Sequence, residues 1–195
     1  MVLAGGKSRR MGRDKAFLPV DDKPLVERVA EVLGSIFERN LVITNTPSLY
    51  EHLGFEIHTD IYPGKGSLGG VYTGLVHAGA PHAFFASCDM PFLNEALIRH
   101  LVEEREGFDV VVPISDSGPE PLHAVYCESC RGPIETLIEK GRLAIHGLFP
   151  FVKVKEVGRE ALMRHDPDLL SFRNLNTPEE LEKARILGEG RRSSS

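Results

Sequence analysis

The stretch Leu25-Val26-Glu27-Arg28-Val29-Ala30-Glu31-Val32-Leu33-Gly34-Ser35-Ile36-Phe37, followed two residues later by Asn40-Leu41-Val42-Ile43-Thr44, decides the fold class. Its first part places apolar residues at 25, 26, 29, 30, 32, 33, 36 and 37, the stripe of a helix that lies on a sheet. Its second part is a short, β-branched apolar run with no alternation, as expected of a strand covered on both faces. The same alternation recurs outward in both directions. Strands are predicted at Val2-Leu3, Phe55 to Thr59, Ala83 to Ser87, Asp109 to Pro113, His123 to Cys127 and Phe151 to Val157. Helices are predicted over Leu68 to Ala78, Asn94 to Arg105, Ile134 to Lys140 and Glu179 to Leu187. Strands that alternate with helices imply an α/β domain with a mostly parallel central sheet and helices on both faces. Only Met1 to Leu3 precede the first glycines, which is short for a first strand.

The last helix carries its own start signal in Thr177-Pro178-Glu179-Glu180, with threonine as N-cap, proline at the first helical position and glutamate three residues after the cap. Beyond Leu187 the chain becomes Gly188-Glu189-Gly190-Arg191-Arg192 and three serines, which have nothing to bury. We therefore read residues 1–187 as one domain and 188–195 as a tail, a length that suits one core.

Composition sets the outer bounds. Hydrophobic residues make up 42% of the chain and charged residues 26%, and no apolar run approaches the roughly 20 residues of a membrane span. The opening lacks the basic and apolar segments of a signal peptide, so the expected address is the cytoplasm. A net charge of −5 argues against general nucleic-acid binding, while Lys7, Arg9, Arg10, Arg13 and Lys15 form a local basic cluster suited to a small polyphosphate. Cys88, Cys127 and Cys130 cannot pair off evenly, which fits reduced thiols. Cys127 and Cys130 have C-x-x-C spacing, but without a second such pair they read as incidental packing.

Chemistry concentrates first in Leu3-Ala4-Gly5-Gly6-Lys7-Ser8-Arg9-Arg10-Met11-Gly12-Arg13-Asp14-Lys15. Paired glycines let backbone N–H groups approach a ligand, and arginine and lysine neutralise phosphate oxygens. An ordinary turn with a solvated charged face is the bland alternative. A P-loop needs glycine where Met1 stands, and the dinucleotide fingerprint has no match. The whole stretch resembles the opening motif of the molybdenum cofactor guanylyltransferases, within the wider nucleotidyltransferase superfamily. Sugar-phosphate relatives usually carry Pro-Lys where this chain has Asp14-Lys15, and cytidine-using relatives Ala-Gly where it has Gly5-Gly6. Both differences point toward GTP.

Phe84 to Ser87 reads as an apolar strand that delivers Asp89 to its C-terminal end, where open parallel sheets bind ligands. A lone aspartate there is equally a turn former or cap. The segment Cys88-Asp89-Met90-Pro91-Phe92-Leu93 resembles the family's C-D-x-P-x-L motif, which implies that Asp89 binds Mg²⁺. Asp60 to Gly70 is a glycine-rich loop opening a helix, read as flexible and able to close over a ligand. It is similar to the family's D-x-x-P-G-x-G-P-L-A-G segment, with Ser67 and Gly69 in place of the usual proline and alanine. That similarity puts Asp60 in the nucleotide site and Gly66 to Gly70 near the guanine. The family's asparagine after the second strand falls at Thr44 or Asn45, and we take Asn45.

On the acceptor side, His123 in Glu120-Pro121-Leu122-His123-Ala124-Val125-Tyr126 and the asparagines of Asn174-Leu175-Asn176-Thr177-Pro178 read by themselves as a structural histidine and as loop and cap residues. Similar family segments border the pocket for molybdopterin, which implies acceptor contacts for His123, Asn174 and Asn176. The remaining histidines show no ligand spacing.

Taken over its length, the resemblance implies a single-domain, Rossmann-like nucleotidyltransferase that binds GTP and Mg²⁺. It joins GMP to the terminal phosphate of molybdopterin or Mo-molybdopterin and releases pyrophosphate. Leu3, Ala4, Gly5 and Gly6 would cradle the nucleotide, Lys15 and Arg10 offset charge at the phosphates, and Asp89 hold the metal. Other cofactor-biosynthesis proteins and molybdoenzyme chaperones are the implied protein partners, with no nucleic acid and no membrane. A relative that uses CTP or another acceptor, or a nucleotide-binding regulator without turnover, stays open on the sequence.

Overall fold

Eight of the strands join in one sheet. The computed structural model describes residues 1–4, 15–20 and 22–173. Its elements are β1 (Val2–Leu3), β2 (Pro19–Val20), β3 (Lys23–Pro24), α1 (Leu25–Ile36), β4 (Leu41–Ile43), β5 (Glu56–His58), α2 (Gly66–His77) and β6 (His82–Ser87). They continue with α3 (Glu95–Glu103), β7 (Val110–Ser115), β8 (Gly118–Pro119), β9 (His123–Cys127), α4 (Arg131–Glu139), β10 (Val154–Val157) and α5 (Arg159–Met163). The sheet order is β10-β7-β9-β6-β1-β4-β5, with β8 paired to β7, while β2 and β3 form a separate hairpin. β1 lies parallel to β4 and β6, β4 to β5, and β7 to β10. β9 runs antiparallel to both its neighbours, β6 and β7. The expected mostly parallel sheet is therefore present, with one reversed strand inside it.

Period-two alternation sends side chains of each strand to two cores. Val2, Val42, Phe84, Val111 and Val125 meet Val29 and Leu33 of α1, Leu97 and Leu101 of α3, and Leu162 of α5. Leu3, Ile43, Phe85, Val112 and Tyr126 meet Leu68 and Val71 of α2, and Ile134 and Leu137 of α4. Each fully buried aliphatic or aromatic side chain contributes about 1.5–3 kcal/mol, so both faces must be covered for the sheet to hold.

α2 is a poor helix by propensity, since Gly69, Gly70 and Gly74 each cost about 1 kcal/mol against alanine. Close packing offsets this. A Cβ on Gly70 would lie 3.2 Å from Leu3 Cδ2, and one on Gly74 only 2.4 Å from Phe85 Cε1 and 2.8 Å from Met1 Sδ. α2 thus sits directly on β1 and β6. α3 is started by Asn94, whose side chain accepts from Leu97 N at 3.0 Å. The same residue donates from Nδ2 to the His165 carbonyl, and its N–H donates to Ser171 Oγ at 3.1 Å. Ser171 N in turn donates to buried Asp166 at 2.8 Å, so residues 165–172 are tied to the loop that follows β6.

Several boundaries differ from the sequence expectation. α2 and α4 begin two and three residues earlier than predicted, at Gly66 and Arg131, because their first turns carry no apolar stripe to announce them. The predicted strand from Phe151 begins at Val154, since Ile145–Phe151 form 3₁₀ turns and Phe151 is 59% exposed. The predicted helix Glu179 to Leu187 and the tail 188–195 lie outside the described residues.

Candidate functional site

From β1 the chain moves to β4 and β5 on one side and then returns to β6 on the other. The gap between β1 and β6 is therefore a topological switch point, and open sheets of this kind bind ligands outside the carboxyl ends of the strands there. Three backbone bonds fix that edge. Ala4 N donates to Ile43 O at 2.9 Å, Thr44 N to His58 O at 3.0 Å and Cys88 N to Leu3 O at 3.3 Å. Leu3 and Ala4 are buried in the middle of it. The loop that leaves β1 holds Gly5, Gly6 and Arg10, which lie outside the described residues. Lys15 begins the 3₁₀ turn Lys15–Phe17, and its side chain is likewise outside the described part.

Asp89 follows β6 on a tight turn, with Met90 N donating to Ser87 O and Met90 and Leu93 anchored in the core. Ser87 Oγ donates to Asp89 Oδ1 at 2.5 Å, which orients the half-exposed carboxylate. Ser87 carries no role in the sequence reading; a hydroxyl two residues before an aspartate is the local signal for this contact.

On the β4–β5 side the structure brings Asn45 and Asp60 together, Asn45 Nδ2 donating to Asp60 Oδ2 at 3.1 Å. Thr44 faces inward, buried, so the exposed side chain is that of Asn45. Asp60 Oδ1 is buried with no hydrogen-bond partner. Burial raises the Asp60 pKa, and the bond from Asn45 only partly offsets the effect. Thr73 stands close by, but a hydroxyl has one proton and Thr73 gives it to Gly69 O at 3.0 Å. Asp60 therefore keeps an acceptor that nothing in the described protein fills.

The loop after Asp60 is less free than its glycines imply. Ile61 N donates to Thr73 Oγ1, and the hydroxyls of Tyr62 and Tyr72 both donate to Glu135 Oε1 at 2.8 and 3.0 Å. The Glu135 carboxylate pushes the Tyr62 hydroxyl up to about 12, so that proton stays in place. Gly66 is exposed where α2 opens, and Gly70 is buried against Leu3.

His123 takes a different place from the one its motif implies. The ring is fully buried, 5.1 Å from both Phe84 and Phe172 in edge-to-face contacts, and neither nitrogen has a partner. Burial lowers its pKa to about 3. A neutral ring enclosed by phenyl groups underlies the edge and offers no surface to an acceptor. Asn174 and Asn176 lie outside the described residues. Cys130 is buried, its thiol pushed up to about 12, and its Sγ donates to the Asp109 carbonyl, a packing role. No group of three or more His, Cys, Asp or Glu able to hold a metal occurs among the described residues. Grooves beside α1 (Glu27, Glu31, His52, Phe55) and beside α4 (Thr136, Lys140, Arg142, Phe151) contain none of the edge residues.

An open α/β sheet with a topological switch point beside β1 and an aspartate just beyond the end of β6 has the frame of a ligand-binding α/β fold. Residues 1–151 match the family model described as the MobA-like NTP transferase domain, and the chain belongs to that family of nucleotidyltransferases. It is 40% identical over 186 residues to a molybdenum cofactor guanylyltransferase of Desulfosudis oleivorans, covering 94% of this chain and 92% of that one. The solved structure of molybdopterin-guanine dinucleotide biosynthesis protein A from Archaeoglobus fulgidus is similar at a TM-score of 0.84 and 31% identity, over 97% of both chains. The 2-C-methyl-D-erythritol 4-phosphate cytidylyltransferase of Thermus thermophilus shares the fold at a TM-score of 0.71 and 16% identity, over 96% of this chain and 97% of that one.

Proposed function

We propose that the protein transfers GMP from GTP to the terminal phosphate of molybdopterin, giving molybdopterin guanine dinucleotide and pyrophosphate. The observation that carries this reading is the switch-point edge, where Asp89 follows β6 and the Asn45–Asp60 pair follows β4 and β5 along one side of the sheet, in a chain so similar to guanylyltransferases. The acceptor phosphate oxygen is already anionic and needs no general base. It attacks the α-phosphorus, a new P–O bond forms, and the bond to the bridging oxygen breaks, its electron pair leaving with pyrophosphate. Catalysis then rests on alignment and charge neutralisation.

Asn45 and the orphaned oxygen of Asp60 receive the nucleoside, whose hydroxyl or N–H donors complete the buried carboxylate. Gly5 and Gly6 cradle the phosphates, and Arg10 and Lys15 neutralise them. Asn174 and Asn176 meet the acceptor without adding charge. A single strand-end carboxylate, with no closed ligand cage among the described residues, fits an ion that is held mainly by substrate phosphates and water, as Mg²⁺ is. Asp89 would hold it, and when bound it supplies charge neutralisation at the phosphates. No helix among the described residues is long and apolar enough to cross a membrane, and we place the protein in the cytoplasm with other cofactor-biosynthesis proteins as handover partners.

The test is incubation with Mg²⁺, each nucleoside triphosphate and molybdopterin, following pyrophosphate release and product mass. Turnover with GTP is expected. Turnover with CTP alone would refute the base assignment, and GTP binding without turnover would leave a regulator. Asp89→Ala should lower the rate on the order of a hundredfold or more, the scale of one lost preorganised electrostatic group, while full activity would remove Asp89 from the mechanism.

A further inference from the structure

Glu120 stands at the same sheet edge as Asp89, on the opposite side of it from Asp60. β9 runs antiparallel to β6, so its first residues meet the carboxyl end of β6. Ala86 is paired with His123, and Ser87 N donates to Leu122 O at 3.0 Å. Two residues earlier, Glu120 is fixed from both sides. Its N–H donates to Pro113 O in β7, and its own carbonyl accepts from His123 N. The side chain is half-buried, and Ser115 Oγ donates to its Oε1 at 2.6 Å. Among the described residues no lysine, arginine or histidine pairs with it. A carboxylate with one neutral donor, partly removed from water, has acceptor capacity left over. Burial accordingly raises its pKa, and the serine bond only partly offsets this.

A group that accepts two parallel N–H bonds is what a 2-amino-4-oxopyrimidine ring presents a need for, since its amino group and ring N–H lie side by side. Both guanine and the pterin carry that edge. The Asn45–Asp60 pair lies beyond β1 on the β4–β5 side, whereas Glu120 lies at the β9–β7 side. We propose that Glu120 is a specificity-determining residue of the acceptor side, its carboxylate receiving the amino and ring N–H donors of the pterin. The proposal rests on the guanylyltransferase reading above.

The experiment measures KM for molybdopterin and for GTP, and kcat, in the wild type and in Glu120→Gln and Glu120→Asp. Equilibrium binding of molybdopterin without GTP is measured by titration calorimetry. Losing one charge-assisted bidentate contact raises KM and Kd for the acceptor about 10- to 100-fold, with KM for GTP and kcat within about twofold. Glu120→Asp, which keeps the charge, should fall between, and it carries the test alone if the glutamine variant does not fold. Acceptor KM and Kd unchanged in the folded variants would reduce Glu120 to a pin for the β7–β9 turn. A rise in KM for GTP instead would mean that the carboxylate reads guanine. A wild-type protein that binds and turns over GTP with a different acceptor overturns the proposal together with the reading beneath it, and is seen before any variant is made.

Discussion

Replacing His123 with phenylalanine should flatten the acid limb of the stability curve. In the folded protein the ring is fully buried between Phe84 and Phe172, with both nitrogens unpartnered, and its pKa is lowered to about 3 from an ordinary value near 6.5. The unfolded chain takes up a proton below about pH 6.5 while the folded one refuses it down to about pH 3. Stability from this group is therefore complete above pH 6.5 and is lost as pH falls through that window, by about 1.4 kcal/mol per pH unit. At pH 5 the loss is about 2 kcal/mol, equivalent to roughly 4–8 °C in Tm for a chain of this size. Phenylalanine keeps the edge-to-face contacts and cannot take up a proton. At pH 7.5 the two proteins should differ by about 1 kcal/mol or less, because relief of two unmade hydrogen bonds opposes a slightly larger ring in a packed site. Urea denaturation at pH 7.5 and 5.0, followed by circular dichroism, gives the difference of differences, in which every other titrating group cancels. A gain for the variant of about 2 kcal/mol on going to pH 5 is expected. Parallel curves, within about 0.5 kcal/mol, would mean that the imidazole reaches water or a partner and that the packing argument is wrong.

Gly74→Ala should cost about 3 kcal/mol and lower Tm by roughly 6–12 °C, because the new methyl would stand 2.4 Å from Phe85, which Tyr126 holds edge-to-face. A scanning-calorimetry shift under about 2 °C would show that α2 can lift from the sheet at little cost. Asp60→Ala should weaken GTP binding about 10- to 100-fold while leaving the nucleotide-free protein as stable or slightly more so, since it removes a buried oxygen with no partner. Calorimetric titration and a melt without nucleotide measure the two halves, and loss of stability with unchanged binding would make Asp60 a structural residue. Ser171→Ala should destabilise by about 1–3 kcal/mol, because it strands the Asn94 N–H and removes a donor to Phe92 O. Denaturant midpoints check it, and a value near zero would mean that the two ends separate without consequence.

The elements most visible in the sequence are those whose burial has a period. α1 was bounded to within a residue because Leu25, Val26, Val29 and Leu33 form one stripe against the sheet. The antiparallel course of β9 was not legible, since a strand covered on both faces reads the same in either direction. The β2–β3 hairpin escaped notice because Pro19 and Pro24 argue against strand, and their two-residue ladder tolerates them. At the site, the motifs locate Asp60 and Asp89 along the chain and the Ser87 contact is local to one turn, whereas the Asn45 contact depends on how β4 and β5 are paired and has no sequence signal. His123 shows the opposite failure. Its position in a motif suggested contact with a ligand, whereas pairing with Ala86 turns its side chain into the same core as Phe84, a fact of pleat parity that the sequence leaves open.

The reversal of β9 also divides the edge by ancestry of chain. Everything on the Asp60 and Asp89 side is delivered by strands that end there, within residues 1–93, while the Glu120 side is delivered by a hairpin that turns at the edge and enters β9. Residues 115–122 can consequently be exchanged as a cassette, pinned at Pro113 and Ser87, without editing any strand that carries the opposite half. One scaffold can then keep the half delivered by residues 1–93 constant while the facing half is rewritten within one short hairpin.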